Sequence, residues 1–90
     1  PPHNVLRIDD NHYVIQLAVA GFSEGDIELQ TEGSVLTIRG SANKENEYNA
    51  EYMIHGISMR DFERTFTLAE HVEVTKASVT NGILSIELES

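Results

Sequence analysis

The chain has 90 residues, no cysteine and a formal net charge of −9, and these numbers exclude several classes of protein. Ninety residues suffice for one domain with a modest hydrophobic core. Without cysteine there can be no disulfide framework and no zinc–thiolate site, which fits a reducing compartment, so we expect a cytoplasmic protein. The excess of acidic residues repels phosphate backbones and argues against a nucleic-acid partner.

Membrane and targeting signals are not visible in the sequence. No apolar run approaches the roughly 18 residues that a membrane helix needs, and nothing resembles a signal peptide. We therefore expect no membrane association. The chain starts at Pro1 and ends inside or just after a predicted strand, so we also expect a trimmed domain of a longer protein.

The first half of the chain alternates apolar and polar residues, which predicts β-strands. A weak first strand is expected at residues 5–8, followed by a strand with one fully apolar face. That face consists of Tyr13, Ile15, Leu17 and Val19. Ser23 and Asp26 can cap a single helical turn between strands. Two further strands follow, joined at Gly33 and Ser34, with apolar faces formed by Ile27 and Leu29 and by Leu36 and Ile38.

A long polar loop is predicted at residues 41–51, and its end is unexpectedly apolar. A solvated loop has little use for large apolar side chains, so this end is predicted to dock on another surface. The apolar residues are Tyr48, Tyr52, Met53 and Ile54.

The next predicted strand, "ISMRDFERTF" at residues 57–66 and onward to Leu68, carries a charge on its aromatic side. Arg64 shares a parity with Phe62 and Phe66, and Arg60 lies just before them. An unpaired guanidinium cannot be buried at low cost. Either the strand is kinked, or these arginines have acidic partners on the same or another chain.

The last two predicted strands meet at Asn81-Gly82, which is the sequence signal of a two-residue hairpin with positive φ at both central residues. Leu84, Ile86 and Leu88 line one face of the final strand. In total about seven to eight short strands and no long helix are expected. This pattern is typical of an antiparallel β-sandwich.

The strand around residue 74 allows two interpretations. Ala77 and Val79 share one parity and look like core, whereas Val72 and Val74 have the other parity and are predicted to face outward. In one interpretation, one of these pairs belongs to the core and a β-bulge shifts the register. Alternatively, Val72 and Val74 form an exposed apolar groove for an extended peptide. The pattern alone favours the bulge slightly.

Catalytic and cofactor motifs are not found in the sequence. The histidines lack the spacing of metal ligands, no serine lies in G-x-S-x-G, and the glycines form no phosphate-binding loop. The histidines are His3, His12, His55 and His71. We expect no enzyme, no metal and no cofactor, and a function based on binding.

Three motifs together resemble the α-crystallin domain of small heat-shock proteins, in particular the bacterial class that associates with inclusion bodies. The pattern Y-x-x-x-G-I-x-x-R-x-F-x-R-x-F-x-L-A is met by Tyr52, Gly56, Ile57, Arg60, Phe62, Arg64, Phe66, Leu68 and Ala69. A second pattern is met by Ala77, Asn81, Gly82, Ile83, Leu84, Ile86 and Leu88, and "LAVAGF" at 17–22 completes the set. The resemblance covers all 90 residues.

The resemblance implies an immunoglobulin-like β-sandwich and an ATP-independent holdase chaperone in the stress response. It implies a homodimer in which a strand around residues 48–54 exchanges onto the partner's sheet. It also implies a groove for unfolding clients, or for the C-terminal tail motif of neighbouring subunits, and this shifts the preference to the exposed-groove interpretation. The groove residues would be Ile27, Leu29, Val72 and Val74.

Two departures from the family pattern limit what is expected of residues 1–90. The flexible N-terminal arm and the C-terminal tail are absent from this sequence, so we expect larger homo-oligomers only when those arms are attached. Ala69 replaces the proline that many relatives have there, as is frequent in the inclusion-body class.

Arg60 and Arg64 are interpreted through the same resemblance as dimer-interface residues. The hypothesis is that they pair with carboxylates of the exchanged loop, with Glu45, Glu47 and Glu51 as candidates. Arginine suits this role because its planar guanidinium binds carboxylates bidentately and stacks on rings. The alternative is that Arg64 extends along the aromatic faces to solvent.

The sequence is also compatible with two other functions. A co-chaperone or scaffold module of a related sandwich type would bind a folded partner and would be monomeric. A carbohydrate-binding sandwich ranks lower, because it needs exposed aromatic side chains and the chain has only three Tyr, three Phe and no Trp.

Overall fold

A computed structural model gives the architecture and describes residues 1–42 and 48–90. The described residues form seven β-strands and one short 3-10 turn. The strands are β1 (His3–Asp9), β2 (His12–Ala18), β3 (Ile27–Glu32), β4 (Val35–Gly40), β5 (Phe62–Thr67), β6 (Glu73–Thr80) and β7 (Ile83–Glu89). The prediction of an all-β fold with about seven short strands is confirmed.

Two antiparallel sheets face each other. One has the strand order β1-β2-β7-β6 and the other the order β3-β4-β5. Their facing sides form a core of eight buried aliphatic side chains: Ile15, Leu17, Val19, Leu36, Ile38, Leu84, Ile86 and Leu88. The period-two pattern predicted this core, because alternate residues of a strand point to the same face.

The structure contains both turns that the sequence predicts. Asn81 and Gly82 have φ values of 54° and 75°, as the central residues of a two-residue hairpin require. The 3-10 turn Glu24–Asp26 is held by the Asp26 carboxylate, which accepts hydrogen bonds from the Ser23 backbone N–H and hydroxyl at 2.9 and 3.0 Å. Both features are local, so neighbouring residues suffice to specify them.

The strand predicted from residue 57 to Leu68 is shorter than expected. β5 begins at Phe62 and ends at Thr67, so Arg60 lies outside it. The strand pairs with β4 over six residues, from Phe62 opposite Gly40 to Thr67 opposite Val35. Residues 57–61 have no neighbouring strand among the described residues of this chain, and the ladder therefore does not extend into them.

A register shift in β6 explains how Val74 and Val79, which differ in sequence parity, lie on the same face of the strand. Val74 lies opposite Leu88 and Ala77 lies opposite Ile86, with the irregularity between Val74 and Lys76. One extra residue on β6 brings Val74 and Val79 to the same face, and this is the register shift that the bulge interpretation predicts. The prediction that Ala77 belongs to the core is wrong, because Ala77 is exposed at the sheet edge.

Among the described residues, no helix has the length and apolar character needed to cross a membrane.

Candidate functional site

The two sheets leave one gap bordered by edge strands β3 and β6 and another bordered by edge strands β1 and β5. An edge strand presents backbone N–H and C=O groups without a strand partner, so it can accept an added strand. The predicted groove residues lie at the first gap, and the predicted docking loop precedes β5 at the second.

Ile27 and Leu29 line a small hollow at the first gap. Both are half-buried on β3 and pack against the core. The hollow has a volume of about 140 Å³, and Val79 and Leu84 form part of its opposite wall. Val79 and Leu84 could not be predicted as groove residues, because only the order of strands in the sheets brings β6 and β7 opposite β3.

Val72 and Val74 line a second hollow, farther along the same gap. Its volume is about 340 Å³, and its walls also include Leu68, Thr31, Gly33 and Glu73. Val72 and Val74 are half-buried and pack against the core. The four predicted groove residues therefore flank one gap but line two separate hollows, and none is either fully exposed or sealed inside.

A larger apolar hollow, of about 520 Å³, lies at the other gap. It is bordered by β1, β2 and the segment after β5, and its apolar walls include Val5, Tyr13, Phe66 and Leu68. Of the four predicted groove residues, its walls contain only Val72, so its size does not make it the predicted groove. Its position next to β1 places it beside the strand with the most exposed apolar side chains.

Strand β1 is exposed along its whole length. All seven of its residues are exposed, and Val5 and Ile8 retain 60% and 64% of their accessible surface. The strand pairs on one side with β2 and has no partner on its other side within the described part of the chain. This edge is both unpaired and apolar.

The predicted docking segment is also exposed. Residues 48–61 are all described and form no helix or strand. Its most exposed apolar side chains are Met53 at 97%, Ile54 at 88%, Ile57 at 82% and Tyr48 at 80%. Tyr48, Tyr52 and Ile54 share one parity, as on the apolar face of a strand. The other parity is polar at Asn49, Glu51 and His55, and Met53 is its apolar exception.

Arg64 lies on the inward parity of β5 and is half-buried between Phe62 and Phe66. Its guanidinium donates to the carbonyl oxygens of Pro1 at 3.4 Å and Glu63 at 3.3 Å. Arg60 donates to the Ser58 hydroxyl at 3.4 Å.

Neither arginine forms an ion pair with a carboxylate in the part of the chain that the structure describes. Of the three candidate partners, Glu51 is exposed. Glu45 and Glu47 lie outside the described residues.

The four histidines form no metal site with the other described residues, among which there is no group of three or more potential ligands. His12 instead binds Asp9, with 2.7 Å between its Nδ1 and the Asp9 Oδ1, and its Nε2 lies 3.8 Å from Glu89. Hydrogen bonds from the Asn11 backbone N–H and from His12 lower the pKa of Asp9, and Asp9 in turn raises the pKa of His12.

Comparison with known proteins gives concordant results. The family described as "Hsp20/alpha crystallin family" matches residues 5–90. The chain is 45% identical over 89 residues to small heat shock protein IbpA of Serratia proteamaculans, covering 99% of this chain and 64% of that protein. It is 46% identical over 88 residues to small heat shock protein IbpB of an Enterobacter species, covering 98% of this chain and 61% of that protein.

Solved structures show the same sandwich. The small heat shock protein AgsA from Salmonella typhimurium, truncated at its C-terminus, matches with a TM-score of 0.86 at 30% identity, covering 100% of this chain and 86% of that one. A small heat shock protein from Synechococcus phage S-ShM2 matches with a TM-score of 0.83 at 35% identity, covering 100% and 94%. The match over nearly the whole sequence and the shared two-sheet architecture lead to one conclusion: this chain belongs to the Hsp20/alpha-crystallin family.

Proposed function

We propose that residues 1–90 are the α-crystallin domain of an ATP-independent holdase chaperone that binds extended apolar segments of unfolding proteins. The observation that carries the proposal is the gap between edge strands β3 and β6, which is lined by the half-buried aliphatic side chains Ile27, Leu29, Val72 and Val74. Family membership and the small heat shock proteins among its relatives support it. The chain spans 64% and 61% of the length of two of those relatives.

In this proposal the groove binds a polypeptide by adding it as a strand. An incoming chain gains main-chain hydrogen bonds from the edge, and pockets along the edge select alternate side chains. The two hollows, beside Ile27 and Leu29 and beside Val72 and Val74, supply such pockets. The same groove would take an apolar tail motif from a neighbouring subunit, so assemblies larger than a dimer would require the flanking arms.

The dimer is proposed to form by strand exchange. Tyr48, Tyr52 and Ile54 would face the partner's sandwich when their segment pairs with the exposed edge of β1. Met53, Arg60 and Arg64 would lie at the same interface, with the arginines facing carboxylates of the exchanged loop. The apolar parity of the segment and the open edge of β1 support this arrangement.

The function proposed is binding, in the cytoplasm, without catalysis. Binding of apolar segments is supported by the aliphatic side chains that line the two hollows, Ile27 and Leu29 in one and Val72 and Val74 in the other. The relatives are named as small heat shock proteins of bacteria.

A peptide titration tests the groove. A short peptide with two isoleucines spaced by one residue should shift the backbone amide signals of β3 and β6 as its concentration rises. Signals of β1 serve as the internal reference, since β1 borders the other gap. Shifts confined to β1 and β2 would contradict the proposed binding site.

A further inference from the structure

Strand β6 is an edge strand, but one of its backbone donors is already occupied from within the chain. The N–H of Val79 donates a hydrogen bond to the carboxylate of Glu24, with 2.9 Å between the nitrogen and Oε1. Residues of an antiparallel edge strand alternately direct their backbone groups toward the neighbouring strand and away from it. The Val79 N–H is one of those directed away, where an added strand would need it.

Glu24 is held in this position by the turn that carries it. It is the first residue of the 3-10 turn Glu24–Asp26, and Ser23 and Asp26 fix the start of that turn through two hydrogen bonds. β3 follows directly at Ile27. The carboxylate therefore reaches from the edge of one sheet to the edge of the other, across the mouth of the hollow beside Ile27 and Leu29.

The two hollows of the β3–β6 gap differ in whether a side chain of the same subunit reaches across them. The hollow of about 140 Å³ beside Ile27 and Leu29 has Glu24 in its wall. The hollow of about 340 Å³ beside Val72 and Val74 has no comparable hydrogen bond across the gap among the described residues. One half of the groove is open, and the other half is occupied by a side chain of the same subunit.

We propose that Glu24 is an internal competitor for the groove and determines which segments bind there. To pair along β6, an incoming strand must replace the Glu24 carboxylate with its own carbonyl oxygen at Val79. The displaced carboxylate then remains at the mouth of the groove in a chain of net charge −9. Apolar segments with an adjacent Lys or Arg can compensate that charge, so they should bind better than neutral or acidic ones. This inference rests on the proposed function.

The test compares two peptides against four proteins. The peptides share a core of two isoleucines spaced by one serine; one is flanked by serines and the other by a single lysine. The proteins are wild type, Glu24→Gln, Glu24→Ala and the control Glu28→Ala. Glu28 is an exposed acidic residue of β3 with the parity opposite to Ile27 and Leu29, so its removal changes the charge equally without touching the gap.

We expect Glu24→Ala to bind the neutral peptide about fivefold more tightly, which corresponds to one hydrogen bond that no longer has to be displaced. Glu24→Gln should lie between wild type and Glu24→Ala, since an amide oxygen is a weaker acceptor than a carboxylate. The lysine peptide should bind wild type more tightly than the neutral peptide does, and both Glu24 variants should lose this preference. Glu28→Ala should behave as wild type. Unchanged or weaker binding of the neutral peptide by Glu24→Ala would overturn the inference.

Amide hydrogen exchange separates this inference from the function on which it rests. Without any peptide, the Val79 amide should exchange faster in Glu24→Ala than in wild type, because its hydrogen-bond acceptor is gone. If that exchange rate is unchanged, the competitor role is wrong even when peptides bind the groove. If exchange accelerates but no protein binds either peptide along β3 and β6, the proposed function is wrong, and the competitor role is rejected with it.

Discussion

Arg64 has the inward parity of β5 and lies between two phenylalanines. Within the described residues its guanidinium reaches two backbone carbonyl oxygens but no carboxylate. A half-buried cation gains more from a carboxylate than from neutral acceptors at 3.3–3.4 Å, because charge-assisted hydrogen bonds are stronger. This environment is the reason for proposing that a second subunit supplies the missing charge.

We therefore predict that Arg64→Ala raises the dimer dissociation constant by about tenfold, as loss of a central arginine does at many interfaces. Analytical ultracentrifugation at several concentrations measures the constant. Arg39→Ala is the matched control, because Arg39 pairs with Glu63 of its own chain at 3.1 Å. A dissociation constant equal to that of the wild type would reject the pairing of Arg64 across the interface.

His12 and Asp9 give a pH-dependent prediction. The raised pKa of His12 means that its contribution to stability is complete below the pKa of an unfolded histidine and is lost as pH rises through the folded value. The lowered pKa of Asp9 means that its contribution is present above the pKa of an unfolded aspartate and is lost as pH falls through the folded value. The pair therefore contributes most in mildly acidic solution.

An NMR titration of the His12 ring signals measures the pKa of His12 and tests the role of Asp9. In wild type the His12 pKa should lie above that of an unstructured histidine, and Asp9→Asn should lower it toward that reference. Asp10→Asn is the control, since Asp10 pairs with Arg7 and not with His12. If Asp9→Asn left the His12 titration curve in place, the proposed cause of the shift would be wrong.

At the scale of elements, the β6–β7 hairpin depends on one glycine. Gly82 has a φ of 75°, and a Cβ atom there would lie 3.4 Å from the Ala20 backbone and side chain. Left-handed backbone costs a residue with a side chain about 1–2 kcal/mol. The hairpin also joins the edge strand of the groove to the central strand β7, so its geometry positions Val79 opposite Leu84.

Gly82→Ala should accordingly lower the free energy of unfolding by about 1–2 kcal/mol. Urea denaturation at one fixed protein concentration measures the change. Gly56→Ala is the control, because a Cβ atom on Gly56 would meet no other atom within 4 Å and its φ is not positive. Equal stability of Gly82→Ala and wild type would show that the hairpin tolerates another turn geometry.

At the scale of the whole molecule, the two gaps are proposed to have different occupants. The β3–β6 gap would take clients or tails, and the β1–β5 gap would take the exchanged segment of a second subunit. Both β1 and residues 48–57 expose several large apolar side chains, Val5, Leu6 and Ile8 on the strand and Tyr48, Tyr52, Met53, Ile54 and Ile57 on the segment. Dimerisation would cover both surfaces at once.

Light scattering at several concentrations should therefore give the mass of a dimer, and Tyr52→Asp should shift it toward the monomer. A carboxylate at position 52 would be buried against the partner's apolar surface, at high cost. Asn49→Asp is the control for parity, since residue 49 has the parity opposite to Tyr52 and would face away from the sandwich in an added strand. A wild-type monomer at all concentrations would instead favour a module that binds a folded partner.

The sequence by itself determined the features that depend on neighbouring residues. The period of two assigned the core faces of β2, β4 and β7, and the pairs Asn81-Gly82 and Ser23–Asp26 specified their turns, because strand parity and turn dihedrals are local properties. It also identified the apolar character of the segment after residue 47.

Only the tertiary structure decided which edges border each gap, where β6 shifts its register and where β5 begins. These features depend on contacts between residues distant in sequence. The Glu24–Val79 hydrogen bond joins residues 55 positions apart, and the Phe62 ring packs so closely over Gly40 that no Cβ would fit there. An alternating pattern looks the same on either side of a bulge and at any sheet edge. The register and the edge positions were therefore decided by the pairing between strands.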